Sequence, residues 1–259
     1  VSGVTFLIFA AIEVWQGDRA TIPTRLLRNR DVWGAVWYGV CIAAAGSIFT
    51  YYLPIWFQAI QHKTATQSGL ATLPSLIGLV LFAIIGGALA SALGYYTPLL
   101  LASSVLTAVG AGMLSTLTVG ASTGHWIGYQ ILFSAGMGLG AQNVMLVASV
   151  AVAPVDMPLA TTILTFTQTL ASAVFLPVGQ SVFQNELRGN QRGVLGAGEV
   201  EAVLQAGAVG FRGVVPESRL AGVLAAYNGA VVRAFYVAVA MAGVSIFGPV
   251  LMRWLALKG

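Results

Sequence analysis

The stretch WIGYQILFSAGMGLGAQNVMLVASV, Trp126 to Val150, holds three glycines within five residues, followed by two amides, Gln142 and Asn143. Two readings compete for it. A dinucleotide-binding turn needs G-x-G-x-x-G between a strand and a helix, with an acid about 20 residues further on. Here the spacing is G-x-G-x-G, and apolar helix-like sequence continues on both sides. Gly136 and Gly140 are four apart and share one helical face, while Gly138 points elsewhere. Small residues spaced in this way let two transmembrane backbones approach closely. The stretch therefore reads as a closely packed membrane helix, with Gly136 and Gly140 as packing and gating positions.

The flanks extend that reading. From Thr64 to Val155 there is no Asp, Glu, Lys or Arg. The breakers GYYTP (94–98) and GASTGHW (120–126) cut this block into three spans of about 20 residues each. Two further charge-free runs, Met157 to Asn185 and Ala234 to Met252, each give one crossing. Only 8% of the 259 residues are charged and 58% are hydrophobic. A soluble domain carries about 25% charged residues. The expected fold is an all-α polytopic membrane protein with about seven transmembrane helices, near 1–15, 33–57, 67–91, 99–119, 126–152, 159–183 and 230–253. Strands are excluded, because the runs lack period-two alternation and exceed the roughly 10 residues of a barrel strand.

The organisation follows from the charges. Residues 1–31 read as the end of a transmembrane helix plus a basic cytoplasmic link. Residues 32–259 read as a six-helix bundle with an extracellular insert at 184–229. The opening VSGVTFLIFAAIEVWQG has no initiator Met and no basic n-region, so it reads as the tail of a helix in a longer polypeptide. Arg19, Arg25, Arg28 and Arg30 place the link in the cytoplasm. Alternation then puts 58–67 and 184–229 outside, and Arg253 and Lys258 inside. Lys63 votes weakly against. Within the insert, GEVEAVLQAGAVG (198–210) reads as a helix with Glu199 and Glu201 in its first turn. The segment from Pro216 reads as a helix leading toward the last span.

Enzyme chemistry finds no support in the residues. There is no HExxH, CxxC or GxSxG, and His62 and His125 lack metal-ligand spacing. No catalytic residue, metal or cofactor is expected. The scattered net charge of +4 gives no nucleic-acid patch. Cys41 is the single cysteine, so no internal disulfide forms, and it reads as a small buried residue.

The amides carry more information. Gln142, Asn143 and Gln168 fall near the middle of their spans. An amide left unpaired in hydrocarbon costs several kcal/mol. Each must face another helix or a wet cavity, and both readings stay open. Tyr52 and Trp56, in TYYLPIWFQAIQ (50–61), are contacts for a flat apolar molecule or members of an interfacial aromatic belt. Pro54 and Pro177 interrupt their helices, either as flexing points beside a site or as inert kinks. Pro249 does the same in the last span.

An ordered series of segments now resembles a known family. It consists of YYLPIWFQAIQ (51–61), TQSGLATLPSLIG (66–78), GGALASALGYYTPLLLAS (86–103), the long run from Gly136 to Leu187, and AYNGAVVRAFYVAVA (226–240). It is similar to the C-terminal half of fungal major facilitator superfamily transporters, in particular the fourteen-helix drug–proton antiporters that include toxin and aflatoxin efflux pumps. The resemblance implies that span 1–15 is a linker helix and that the next six spans form the C-terminal six-helix bundle of a major facilitator fold. It implies proton-coupled efflux of small, mostly apolar organic molecules, such as drugs, toxins and secondary metabolites, by alternating access. The implied partners are that substrate, protons, the lipid bilayer and the N-terminal half of the same polypeptide. The implied location is the plasma membrane, or else the vacuolar membrane. One departure stands out. GGALASALGYYTP keeps the glycines but lacks the charges of the family's G-x-x-x-D-R-x-G-R-R loop. Glu13 and Asp156 sit at cytoplasmic span ends, so the coupling acid is expected in the absent half. The alternatives are a non-transporting remnant, a membrane sensor, or an importer of the same fold, for example of siderophores.

Overall fold

The computed structural model describes residue 26 and residues 29–191 and 197–254. The expected span 1–15, the arginines Arg19, Arg25 and Arg28, Lys258 and the side chains of Glu199 and Glu201 lie outside the described residues. Among the described residues, eight α-helices follow in order: α1 (Arg30–Ala59), α2 (Ala65–Leu93), α3 (Thr97–Leu114), α4 (Thr123–Val150), α5 (Met157–Gln191), α6 (Ala197–Gly210), α7 (Glu217–Val244) and α8 (Phe247–Leu251). Among the described residues, six helical segments are long and apolar enough to cross a membrane: α1 to α5, and α7 continuing into α8. The chain is an all-α polytopic membrane protein.

Local chemistry sets the helix ends. The Asn29 side chain caps α1 by accepting from the Asp31 N–H at 3.0 Å. Thr64 and Gln67 form a reciprocal capping box at the start of α2. Gly94 closes α2 with φ +74°, a left-handed conformation suited to glycine. Pro98 then falls in the first turn of α3, where its missing N–H costs nothing. The end of α3 comes earlier than its apolar run implies, at Leu114 rather than 119. Ser115 and Thr116 donate to the carbonyls of Gly112 and Met113, three residues back, and so compete with helical continuation. α5 runs past 183 to Gln191, because QNELRGN contains no proline to stop it. α7 starts at Glu217, so the second half of the insert and the last crossing are one helix.

Packing follows a repeated rule. α4 lies against α2 and α3, α1 lies against α5 and α7, and α3 meets α7. Exchanging α1 with α4, α2 with α5 and α3 with α7 interchanges the pairings of α4 with those of α1 and keeps the third, while the packing of α5 on α7 has no counterpart of similar extent between α2 and α3. An offset of three crossings reverses the direction of each exchanged helix. The pairings around α1 and α4 thus relate two three-helix units of opposite direction, an arrangement many secondary transporters use.

Two apolar clusters fill the bundle. One surrounds Phe49, Trp56, Phe133 and Phe235. The other surrounds Val36, Tyr96, Leu100, Val147 and Leu164 toward the start of α1. Hydroxyls tie helices together between them. Tyr38 Oη pairs with Ser103 Oγ, which donates to the Gly136 carbonyl at 2.6 Å, joining α1, α3 and α4.

Each end has its own fastening. At the α1 start, Asp31 is fully buried and takes three hydrogen bonds from Arg253: 2.7 Å from the backbone N–H, 2.8 Å from Nε and 2.6 Å from Nη2. At the opposite end, Lys63 Nζ sits 4.4 Å from the Trp126 ring centre and 4.8 Å from that of Phe57. Partial desolvation holds the Lys63 pKa below its ordinary value. Lys63 is therefore engaged in packing, which accounts for a cation at a span end that the charge rule assigns to the outside.

Breaking a buried pair by removing one partner strands the other charge, whereas removing both does not. Arg253→Ala should lower the unfolding temperature more than Asp31→Asn, and the double variant should recover part of the loss. Thermal unfolding of the four proteins in one detergent checks that order, and a double variant worse than both singles would contradict it.

Candidate functional site

The glycines of α4 set the distances around the site. A Cβ at Gly136 would collide with the backbone N of Thr107 on α3. One at Gly140 would collide with Tyr38 Oη of α1 and Ser103 Oγ of α3. On the opposite side, one at Gly138 would lie 2.5 Å from the Leu79 carbonyl of α2. All three glycines are therefore points of close contact, with backbone at Gly136 and Gly138 and with side chains at Gly140. Gly138 serves α2 while Gly136 and Gly140 serve α3 and α1.

The neighbouring amides part company. Asn143 is fully buried, and its Nδ2 donates to the Leu139 carbonyl at 2.6 Å and the Gly86 carbonyl at 3.4 Å. Its Oδ1 has no hydrogen-bond partner. Gln142 is exposed and lies along Gly87 of α2. Gln168, half-buried on α5, covers Gly39 of α1; a Cβ there would sit 2.9 Å from Gln168 Nε2. Ser172, one turn on, donates to the Ala43 carbonyl at 3.4 Å.

The aromatic candidates also separate. Trp56 is fully buried, and its indole N–H donates to Asn228 Oδ1 on α7 at 2.7 Å. Asn228 Nδ2 in turn donates to the Leu117 carbonyl at 3.1 Å. Tyr52, also buried, lines a cavity of about 420 Å³ between α1, α5, α6 and α7. Pro54 lines a second, mostly apolar cavity of about 290 Å³ between α1, α2, α3 and α4, with Phe49, Leu53, Leu76, Phe133 and Met137. Pro177 is exposed on α5, and Ser181 Oγ donates to its carbonyl at 3.0 Å. The candidates named from the sequence thus occupy several places rather than one pocket.

Three polar positions escaped the sequence reading. Gln130 is fully buried, accepting from Ser75 Oγ at 2.6 Å and donating to the Ala71 carbonyl at 3.1 Å. Asn228 clasps α1 and the turn after α3. Asp31 binds Arg253. Gln130 and Asn228 carried the same signal as Gln142, an amide inside an apolar run. Their position nearer the span ends hid it.

The exposed face of the bundle is apolar with a few hydroxyls. α2 and α5 bury the least of their span surface, and α1 and α4 the most. Thr161, Thr165 and Thr169 form one exposed stripe on α5, each hydroxyl spent on a carbonyl of its own helix. Among the described residues, no group of His, Cys, Asp and Glu could hold a metal ion.

Two stability experiments follow from these contacts. Asn143→Ala should cost about 1–3 kcal/mol, because it removes buried hydrogen bonds, whereas Gln142→Ala should stay within about 0.5 kcal/mol of wild type. Equal losses in chemical unfolding would refute the distinction. Gly140→Ala should cost about 1–3 kcal/mol by overpacking. Adding Tyr38→Phe should return part of that loss by removing the atom a methyl would strike. Additivity of the two substitutions in a double-mutant cycle would count against the contact.

No family model matches the chain. Whole curated proteins do. The MFS-type transporter astH of Aspergillus oryzae is 46% identical over all of this chain. The efflux pump roqT of Penicillium rubens is 42% identical, also over all of it. The MFS-type efflux pump elcC of Phaeosphaeria nodorum is 40% identical over all of it. The chain spans about half the length of these relatives, 46%, 48% and 46% respectively. With six helices long and apolar enough to cross a membrane and 40–46% identity along its whole length, this chain is similar to about half of each of these fungal proteins, which are named MFS-type transporters and efflux pumps.

Proposed function

We propose that this chain forms one half of the pathway of a proton-coupled efflux transporter, the C-terminal six-helix bundle of a fourteen-helix pump. It exports small, mostly apolar organic molecules across the plasma membrane by alternating access. The observation that carries this reading is the uneven cover of the bundle. α2 and α5, equivalent in the two inverted units, are left largely bare, while α1 and α4 are packed between their neighbours. A bare pair of equivalent helices suits a second bundle rocking against this one around a site at the membrane midplane.

The apolar cavity beside Pro54 matches a substrate held mainly by dispersion and desolvation. Gln142 and Gln168, both with solvent-accessible surface, lie outside that cavity and supply amides elsewhere along the pathway. Asn143, Gly136 and Gly140 act as packing positions around which the helices shift. Pro54 and Pro177 act as flexing points. Proton coupling needs a titratable group inside the pathway. Among the described acids, Asp31 is committed to Arg253, Glu186 lies 3.4 Å from Arg233, and Asp156 and Glu217 stand at the starts of α5 and α7, at span ends. The coupling carboxylate is therefore assigned to the part of the longer relatives that this chain does not span.

The test joins this chain to the remaining half of such a polypeptide in cells lacking endogenous pumps. Export of the neutral dye Nile red should follow an imposed proton gradient and stop when the gradient is collapsed. Gln142→Ala together with Gln168→Ala should raise the apparent KM several-fold at equal surface expression. Gradient-independent flux would refute proton coupling. Net uptake would refute efflux, and an unchanged KM would leave both amides structural.

A further inference from the structure

We infer that the seam between the start of α1 and the break from α7 to α8 binds an anionic phospholipid, with Arg30 on its phosphate and Trp33 and Trp37 beside its chain. Such a site lies outside the pathway proposed above and depends on the bilayer alone.

Three observations build it. The first is how the seam is closed. Gly34 and Gly248 bring the two backbones into contact. A Cβ on Gly34 would lie 2.7 Å from the Gly248 carbonyl, and one on Gly248 would lie 2.5 Å from the Gly34 carbonyl. The Gly248 N–H donates to the Ser245 carbonyl at 3.1 Å, so the break leaves the Val244 carbonyl without its helical partner. That carbonyl accepts instead from the Trp37 indole N–H at 3.0 Å. The Leu251 carbonyl, orphaned at the end of α8, accepts from Arg30 Nε at 3.0 Å. Side chains of α1 thus satisfy backbone groups that hydrocarbon could not.

The second is an exposed border on both sides. Arg30, Trp33 and Trp37 stand at i, i+3 and i+7 on one face of α1, and all three are exposed, Trp33 by 48%. Val244, Phe247 and Leu251 repeat that spacing along the other side, with Phe247 57% exposed. Tryptophan at a span end suits the headgroup level, and the apolar side chains suit the first carbons of an acyl chain.

The third is charge. Asp31 is taken by Arg253, and among the described residues no acid pairs with Arg30. With Nε spent on Leu251, its remaining N–H groups fit phosphate oxygens. The sequence just before it adds Arg19, Arg25 and Arg28 against Asp18, an excess of positive charge beside a span that attracts anionic headgroups. A zwitterionic headgroup brings its own cation, which the same arginines repel. The seam lies on α1, α7 and α8 rather than on α2 and α5, the bare pair assigned above to a second bundle.

The test is tryptophan quenching by dibrominated lipid, with the whole chain in phosphatidylcholine nanodiscs. Dibrominated phosphatidylserine should quench a saturable component, with a relative binding constant at least fivefold above that of dibrominated phosphatidylcholine. Trp33→Leu should remove most of that component. Arg30→Gln should bring the preference to within twofold of parity, and Arg30→Lys should retain at least half of it. Arg19→Gln, which removes the same charge earlier in the chain, should lower the preference by less than half. Equal losses in Arg19→Gln and Arg30→Gln would mean diffuse attraction and would overturn the site. So would displacement of the lipid by millimolar inorganic phosphate. Loss of the preference once the chain is joined to the remaining half of a longer polypeptide would make that half the occupant, and would overturn it too. If Arg30→Gln fails to fold, Trp33→Leu and the phosphate competition decide. Lipid preference without dye export would count against the efflux reading alone.

Discussion

At Gly136 and Gly138 the backbone of α4 runs against the backbones of α3 and α2, and at Gly140 it makes room for the side chains of Tyr38 and Ser103. In lipid there is no hydrophobic force to press helices together, so their association rests on close dispersion contacts and on hydrogen bonds. Close approach is what the glycines supply. Once α4 is fixed between its neighbours, the Gly136 carbonyl comes within reach of Ser103, and Ser103 within reach of Tyr38. α1 is thereby placed, and α5 and α7 take their positions on α1 by the same pairing rule that put α2 and α3 on α4.

Several of the polar groups inside this bundle act as fastenings between helices. Gln130 joins α4 to α2, Asn228 joins α7 to α1 and to the turn after α3, and Asn143 reaches from α4 toward α2. Low dielectric makes each satisfied bond firm and each missing one costly. Other buried polar atoms, the hydroxyls of Tyr52, Tyr96, Ser104 and Thr107 among them, have no hydrogen-bond partner in the protein, and the amide of Gln142 is exposed.

Much of the architecture was legible because a bilayer imposes lengths. Charge-free runs between breakers gave all six described crossings, three of them (α1, α2 and α4) to within three residues at both ends, and the glycine spacing identified α4 as a packing helix. Local competition was not legible. α3 stops short because two hydroxyls turn back on its last carbonyls, a choice hydropathy does not record. The site was less readable. Gln142 and Asn143 are adjacent, yet a helix turns by about 100° per residue, so one is exposed and the other fully buried. Trp56 and Tyr52 look alike in the sequence, but only Tyr52 lines a cavity, because Asn228, far along the chain, claims the Trp56 indole. Partners separated by long stretches of chain leave no local pattern.

The link between Asp31 and Arg253 has a consequence for how the protein is made. The two residues lie 222 positions apart. A ribosome adds about 5–20 residues per second, so roughly 10–45 s separate their synthesis. Throughout that interval the first of the six crossings carries a carboxylate whose native partner does not yet exist. The hydrogen bonds that hold Asp31 can therefore form only after the last of the six crossings has been made.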